Sequence, residues 1–269
     1  PKKGEDNFLV ITGDGKRAAI VLRLVGRQQT APSKLDALID ASFDFWQRTK
    51  NDEYGRTGKM EAKKGSTQLV FSDLIQSSGF NIYEHIRDEL VSRGVPAKEI
   101  AFIQDYSNSN KKAKLFREMN TGVKRILIGG SKNLGTGVNV QHRLGRISHL
   151  DLTYVPADIT QREGRGIRQG NKNEEIEIVA YATENTVDST LWQTNERKQK
   201  MIDQIMSGDL TMDTVEDISN EVSQMAMAKA ISSGNPLLLE QAGLDAEVAK
   251  LRALKDAFNN KRLSISTNI

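Results

Sequence analysis

The sequence lacks cysteine, has few aromatic residues and carries little net charge. Its 269 residues include no Cys, 5 Pro and 8 Phe, aromatic side chains make up 6%, and the formal net charge is +3. The absence of cysteine excludes disulfides, thiol catalysis and cysteine-based zinc sites. So small a charge is compatible with nucleic acid as a partner but does not argue for it, so the placement of basic residues matters more than their sum.

Long apolar runs are also lacking. No stretch is long enough to span a membrane or has the pattern of a signal peptide, so the expected setting is cytoplasmic. With 38% hydrophobic and 27% charged residues, the chain is typical of a globular protein with a sizeable core. It starts at Pro1 and stops within a charged helical pattern, and we expect it to be part of a longer protein.

The middle of the chain alternates between apolar strand patterns and amphipathic helix patterns. Helices are predicted between the strands, two of them ending at Gly94 and Gly122. Strands that alternate with helices at this spacing predict an α/β fold, with a mostly parallel sheet and helices on both faces. The predicted strands are 67–71, 100–104, 123–130, 148–155 and 174–183.

Two flanking regions differ from this pattern. Residues 1–66 are interpreted as lead-in strands around a Gly-Asp-Gly turn, a helix with a capping box at Ser33 and Asp36, and a polar loop. Residues 67–183 form the predicted sheet domain. Residues 184–269 are predicted to be a helical extension whose role is left open.

Three arginines lie at a spacing of three residues in TQREGRGIRQGNK. We predict that Arg162, Arg165 and Arg168 lie near one face of a short helix with Asp158 as its cap and Gly170 at its end. Arginine suits phosphate, because its planar fork contacts two oxygens and is never neutral. The alternative is a solvated helix face balanced by nearby glutamates.

A glycine-rich stretch, GGSKNLGTGVNVQ (129–141), follows the strand that ends in ILIG. Ligands of an open α/β sheet bind at the carboxyl ends of its strands, and glycines let backbone amides approach a phosphate. The alternative is a flexible surface loop. Together with the arginine segment, this stretch predicts a site for a polyanion with several phosphates.

The order of three motifs resembles the superfamily 2 helicases. QREGRGIRQG is similar to their motif VI, GTGVNVQ to motif V and LVFSD (69–73) to motif IV. The resemblance covers residues 67–183 as the second RecA-like lobe and is nearest to the Swi/Snf-like branch. The flanking segments DNFLVITGDGKRAAI, LWQTNERKQKMIDQIMSGD and SGNPLLLE resemble the carboxyl-terminal part of large bacterial and phage proteins that join a helicase to an adenine-specific DNA methylase.

This resemblance implies a role for each matching residue. Arg165 and Arg168 match the arginines that reach ATP held, with Mg, by the first lobe, where an arginine finger stabilises charge on the transferring phosphoryl group. Arg162 lies outside the matched positions and is left to serve nucleic acid or a carboxylate. The implied ATP contacts are Gln161, Gly137 and Asn139, although many relatives carry Asp at the last position; the implied nucleic-acid contacts are Ser72, Ser131, Lys132 and Thr136.

Several expected motifs are missing. No GxxxxGK[ST] phosphate loop is present, so the first lobe is absent and we expect the isolated chain to be inactive as an ATPase. The implied partners are that lobe, DNA (duplex) and a methylase domain of the parent protein. A binding module for nucleic acid or a protein partner is the main alternative. GDGKRA (13–18) leaves a dinucleotide site as a third reading, and the histidines show no metal-ligand spacing.

Overall fold

The computed structural model describes residues 8–57, 60–61, 63–77, 79–134, 138–151, 153, 156–188, 191, 195 and 198. The chain divides into two compact units, and the unit Asp14–Asp203 contains the main sheet. The predicted helical extension after residue 198 lies outside the described residues. Within the described ranges, no helix combines the length and apolar character that crossing a membrane requires.

Six α-helices and four short 3-10 helices are described, most of them between strands. Ser33 begins the second helix with the predicted capping box, and Gly122 ends the fourth with a left-handed φ of 78°. The α-helices are α1 (Phe8–Ile20), α2 (Lys34–Arg48), α3 (Ile82–Ser92), α4 (Ser109–Thr121), α5 (Ser131–Leu134) and α6 (Pro156–Glu163); the 3-10 helices are Leu22–Val25, Ala97–Glu99, Ile103–Asp105 and Gln141–Arg143.

Five of the nine described strands form one parallel sheet, in the order Ile100–Phe102, Ile126–Gly129, Thr67–Phe71, Leu144–His149 and Glu177–Ala180. Each of its four pairings is parallel. The three central strands are buried along their whole length, as expected of a parallel sheet covered on both faces. The strands are β1 (Arg56–Thr57), β2 (Met60–Glu61), β3 (Thr67–Phe71), β4 (Gln76–Ser77), β5 (Phe80–Asn81), β6 (Ile100–Phe102), β7 (Ile126–Gly129), β8 (Leu144–His149) and β9 (Glu177–Ala180).

Helices cover both faces of this sheet. Successive residues of a strand point to opposite faces, so Val70 of β3 belongs to one core and Leu69 and Phe71 belong to the other. Helices α2 and α3 contribute to the first core, and α4 and α5 contribute to the second. The predicted α/β fold class, a parallel sheet with helices on both faces, is therefore confirmed.

The prediction of lead-in strands is wrong, because residues 8–20 form α1. Two glycines in this segment favoured a turn between extended stretches. The structure shows a packing reason for the second of them: a Cβ on Gly15 would lie 2.6 Å from Cγ2 of Val187. Close approach to Val187 therefore requires glycine inside the helix. The dinucleotide interpretation of GDGKRA fails as well, because that site needs a strand, a turn and then a helix.

The strand predicted at 148–155 instead spans Leu144–His149. The residues Leu144–Arg146 contain a glycine and an arginine and so give no apolar run to recognise. Arg146 is buried there because its guanidinium donates to Oε2 of Glu177 at 2.6 Å and to the Tyr181 hydroxyl at 3.0 Å. The ion pair between Arg146 and Glu177 of the neighbouring strand thus allows a charged residue in a buried strand, where an apolar residue was expected.

Candidate functional site

Polar residues that follow the three central strands meet at one edge of the sheet. Asp73 follows β3, Ser131 follows β7 and Asp151 follows β8, and β3 lies between the other two strands. The backbone N–H and the Oγ of Ser131 donate to Oδ1 and Oδ2 of Asp73 at 2.6 and 2.8 Å. This is the carboxyl edge, where open α/β sheets bind their ligands.

Asp151 is a buried carboxylate that organises the turn after β3. Its Oδ2 accepts hydrogen bonds from the backbone N–H groups of Asp73 and Leu74 at 2.6 and 3.0 Å, and it lies 3.2 Å from Ser72 Oγ. Burial raises the pKa of Asp151, and the positive charge of Arg162 opposes this shift. The carboxylate therefore depends on Arg162 as its countercharge.

Arg162 has none of its side chain exposed, although it is an arginine on a short helix. Its Nη2 lies 2.7 Å from Asp73 Oδ2 and 3.6 Å from Asp151 Oδ1, and its Nη1 donates to the Asp151 carbonyl at 3.1 Å. Its Nε donates to Ser131 Oγ at 2.8 Å. The guanidinium also lies over the Phe71 ring, 5.1 Å from its centroid. Of the two roles left open for Arg162, the structure shows pairing with carboxylates.

The prediction that three arginines share one helix face is wrong. Helix α6 ends at Glu163, so Arg162 is helical, whereas Arg165 and Arg168 lie in the turns that follow. Nor is Asp158 the cap, since the helix begins at Pro156 and Asp158 lies in its first turn. We define residues 164–170 as the arginine turn.

Two glycines fit the course of the arginine turn after α6. A Cβ on Gly166 would lie 3.1 Å from side-chain atoms of Ile147 and Ile176, so the arginine turn runs close to the sheet where a larger residue would be crowded. Gly170 ends the turn with a φ of 95°, which favours glycine over other residues.

Arg165 and Arg168 both lie on the arginine turn, where their charges interact. Arg165 is half-buried and Arg168 is exposed, and the Ile167 side chain between them is 65% exposed. Burial lowers the pKa of Arg165, and the charge of Arg168 lowers it further. Two guanidiniums that repel each other at a surface are stabilised by an anion that contacts both.

The other predicted site residues that the structure describes lie on several different elements. Gln161 is exposed on α6, Lys132 is exposed on α5, and Asn139 is exposed with its backbone carbonyl accepting from Asn120 Nδ2 at 2.8 Å. Ser72, in contrast, is buried, and its hydroxyl donates to the Leu74 carbonyl at 2.8 Å. The remaining predicted residues, Thr136 and Gly137, lie outside the described residues.

His149 is a buried neighbour of this network. Its ring stacks on Phe71, with centroids 5.8 Å apart, and its Nε2 lies 3.6 Å from Glu163 Oε1. Burial lowers the pKa of His149 to about 4, with a further contribution from the charge of Arg162. The ring is therefore neutral at physiological pH.

Sequence reasoning missed that Asp73, Asp151 and Arg162 form one network. In the structure Asp73 and Asp151 each come two residues after the end of a strand, and these two strands are neighbours in the sheet. The sequence contains no such signal for Asp151, because the strand predicted at 148–155 placed it inside a strand. The order of strands in the sheet makes β3 and β8 neighbours, and this order cannot be deduced from the spacing of the motifs along the sequence.

Comparison of the sequence with protein-family models finds no match. One curated relative is the "Defense against restriction protein B" of Escherichia phage P1, which is 30% identical over 123 residues. The match covers 46% of this chain and 5% of that protein. The chain therefore corresponds to a small part of the relative's length.

Solved structures with a similar course of the chain include the C-terminal part of the Fun30 ATPase domain, with a TM-score of 0.47 and 17% sequence identity. The match covers 62% of this chain and 48% of that one. A second is an S. cerevisiae Dbp5 variant bound to RNA and ADP BeF3, with a TM-score of 0.41 and 15% identity over 61% of this chain and 35% of that one. The α/β fold class follows from the parallel sheet and the helices that cover its two faces.

Proposed function

We propose that this chain is the second motor lobe of an ATP-dependent DNA translocase or helicase of the Swi/Snf-like superfamily 2 kind. The observation that carries the proposal is the arginine turn. Arg165 and Arg168 stand together just after α6, and Arg162 fixes that helix to residues at the ends of the three central strands. Paired arginines on a rigid base suit the charge of a transferring phosphoryl group.

ATP with Mg is the proposed nucleotide, held mainly by a lobe that carries the phosphate loop missing from this sequence. The Mg ion supplies charge neutralisation between the β- and γ-phosphates when bound. This chain's part is to present Arg165 and Arg168 to the phosphates. Gln161 and Asn139, both exposed, are the proposed contacts to the rest of the nucleotide, together with Gly137, which comes two residues before Asn139.

DNA is the proposed second ligand, contacted at the phosphate backbone by Ser131, Lys132 and Thr136. Lys132 supports this role, because it is exposed on α5 at the ligand-binding edge of the sheet. Ser72 supports it less, because its hydroxyl is buried and engaged with Leu74 and Asp151.

A second candidate is a non-catalytic module that binds nucleic acid or a protein within a larger DNA-modification protein. The absence of a phosphate loop from the sequence fits this candidate and the motor lobe equally. In this case Arg165 and Arg168 contact backbone phosphates of the nucleic acid and serve no hydrolysis.

ATP turnover separates the two candidates. We expect the purified chain to hydrolyse no ATP with or without DNA, because it lacks the lysine and the acidic metal ligand that hold Mg-ATP. We expect the longer protein that contains it, called the parent below, to hydrolyse ATP faster when DNA is added. DNA-stimulated turnover by the chain alone would refute the half-motor proposal, and a parent that binds DNA without turnover would favour the binding module.

A further inference from the structure

We propose that Arg162 is a positioning residue that couples the segment after β7 to the arginine turn, so that DNA at Lys132 alters the placement of Arg165 and Arg168. This inference rests on the proposed function. It starts from the side chain of Arg162, which has no exposed surface and joins Asp73, Ser131 and Asp151.

The first half of the connection runs from Arg162 to the segment after β7. Asp73 holds Ser131 through both carboxylate oxygens, and Arg162 Nη2 contacts the same Oδ2 that accepts from Ser131 Oγ. A Cβ on Gly130 would lie 2.8 Å from Asp73 Oδ1, so glycine allows this close approach. Movement of Ser131 would therefore change the contacts of both Asp73 and Arg162.

The second half runs from Arg162 to the arginine turn through the backbone. The N–H of Arg165 donates to the Arg162 carbonyl at 3.2 Å, and the N–H groups of Gly166 and Ile167 donate to the Glu163 carbonyl at 2.9 and 3.1 Å. The arginine turn is thus bonded directly to the last residues of α6. A shift of Arg162 would be passed to the turn without an intervening flexible segment.

The position of Asp73 explains how DNA would act on this connection. Its side chain is 44% exposed, whereas that of Arg162 is fully buried, so the pair has one end at the surface and one in the core. A phosphate bound at neighbouring Lys132 repels the Asp73 carboxylate and competes for the hydroxyl of Ser131. Weaker hydrogen bonds at Asp73 would change the contacts that position Arg162. DNA binding at Lys132 and the placement of Arg165 and Arg168 would then be energetically coupled.

The test uses the parent and the substitution Asp73→Asn, which removes the charge and keeps the shape. A matched control is Glu177→Gln, because Arg146 Nη1 lies 2.6 Å from Glu177 Oε2 and these side chains are 7% and 38% exposed. Both variants neutralise a half-exposed carboxylate paired with a buried arginine. Only Asp73 lies in the proposed connection.

We expect Asp73→Asn to lower the ratio of DNA-stimulated to basal ATP turnover by about 5-fold or more, within the usual range of allosteric coupling. Basal turnover of Asp73→Asn should change by no more than about threefold. Glu177→Gln should keep the wild-type ratio, because Glu177 is not among the residues proposed to contact ATP or DNA. Arg162→Lys keeps the charge but loses the fork, and should lower the ratio in the same way.

The results separate this inference from the proposed function. If the wild-type parent shows no DNA-stimulated ATP turnover, both the proposed function and this inference are refuted. Normal stimulation in the wild type, with an unchanged ratio in Asp73→Asn and Arg162→Lys, would overturn the inference alone. An equal loss in Glu177→Gln would also overturn it, because the effect would then follow from any weakened ion pair.

Discussion

Replacing Arg162 by alanine should cost the chain about 3–5 kcal/mol of unfolding free energy, the usual penalty for removing one partner of a buried ion pair. The cost arises mainly at Asp151, which is 8% exposed and would stay buried without its countercharge. Asp73 adds less, because its side chain is 44% exposed and can be hydrated. The contact with the Phe71 ring is lost as well.

Urea denaturation of the purified chain, followed by circular dichroism, measures this loss. Arg168→Ala is the matched control, because the same substitution at an exposed position should change stability by no more than about 0.5 kcal/mol. Adding Asp151→Asn to an Arg162→Met variant should recover part of the loss, since no buried charge then remains. A loss below about 1 kcal/mol in Arg162→Ala would refute the assignment of Arg162 as the buried countercharge.

Two further predictions concern a buried ring and an exposed cation. Because the pKa of His149 falls from 6.5 to about 4 on folding, only the unfolded chain takes up this proton as the pH falls between those values. The contribution of His149 to the unfolding free energy should therefore fall by about 3 kcal/mol between pH 6.5 and 4. Urea denaturation at a series of pH values should show a correspondingly smaller loss of unfolding free energy in His149→Gln. The same pH profile in the variant and the wild type would contradict this prediction. Lys132→Ala should weaken DNA binding and reduce the slope of log affinity against log salt by up to about one unit, as measured by fluorescence anisotropy; an unchanged slope would remove Lys132 from the DNA site.

The strands and helices of the main sheet could be predicted where their residues follow a simple period. The run TQLVF is β3, and the capping box at Ser33 begins α2 where expected. Prediction failed where a tertiary contact decides the outcome. Gly15 lies inside a helix because Val187 packs against it, a contact 172 residues away along the chain that local propensity cannot contain.

The candidate site shows the same division between local pattern and tertiary contact. Motif spacing led to Arg165 and Arg168, and their roles toward ATP remain predictions. It did not reveal that Arg162 is buried, because this depends on Asp73 and Asp151 following strands that are adjacent in the sheet. The spacing of three residues between the arginines also predicted one continuous helix. In the structure α6 ends at Glu163, and Gly166 of the following turn packs closely against Ile147 and Ile176.

The most direct test of the central claim is ATP turnover by the parent carrying Arg168→Ala. ATP should still bind, because the lobe with the phosphate loop holds most of it, while turnover should fall by roughly three to five orders of magnitude. Arg168→Lys should not restore it, because an ammonium lacks the planar two-point contact. Near-normal DNA-stimulated turnover in Arg168→Ala would contradict the claim that this chain supplies an arginine to ATP.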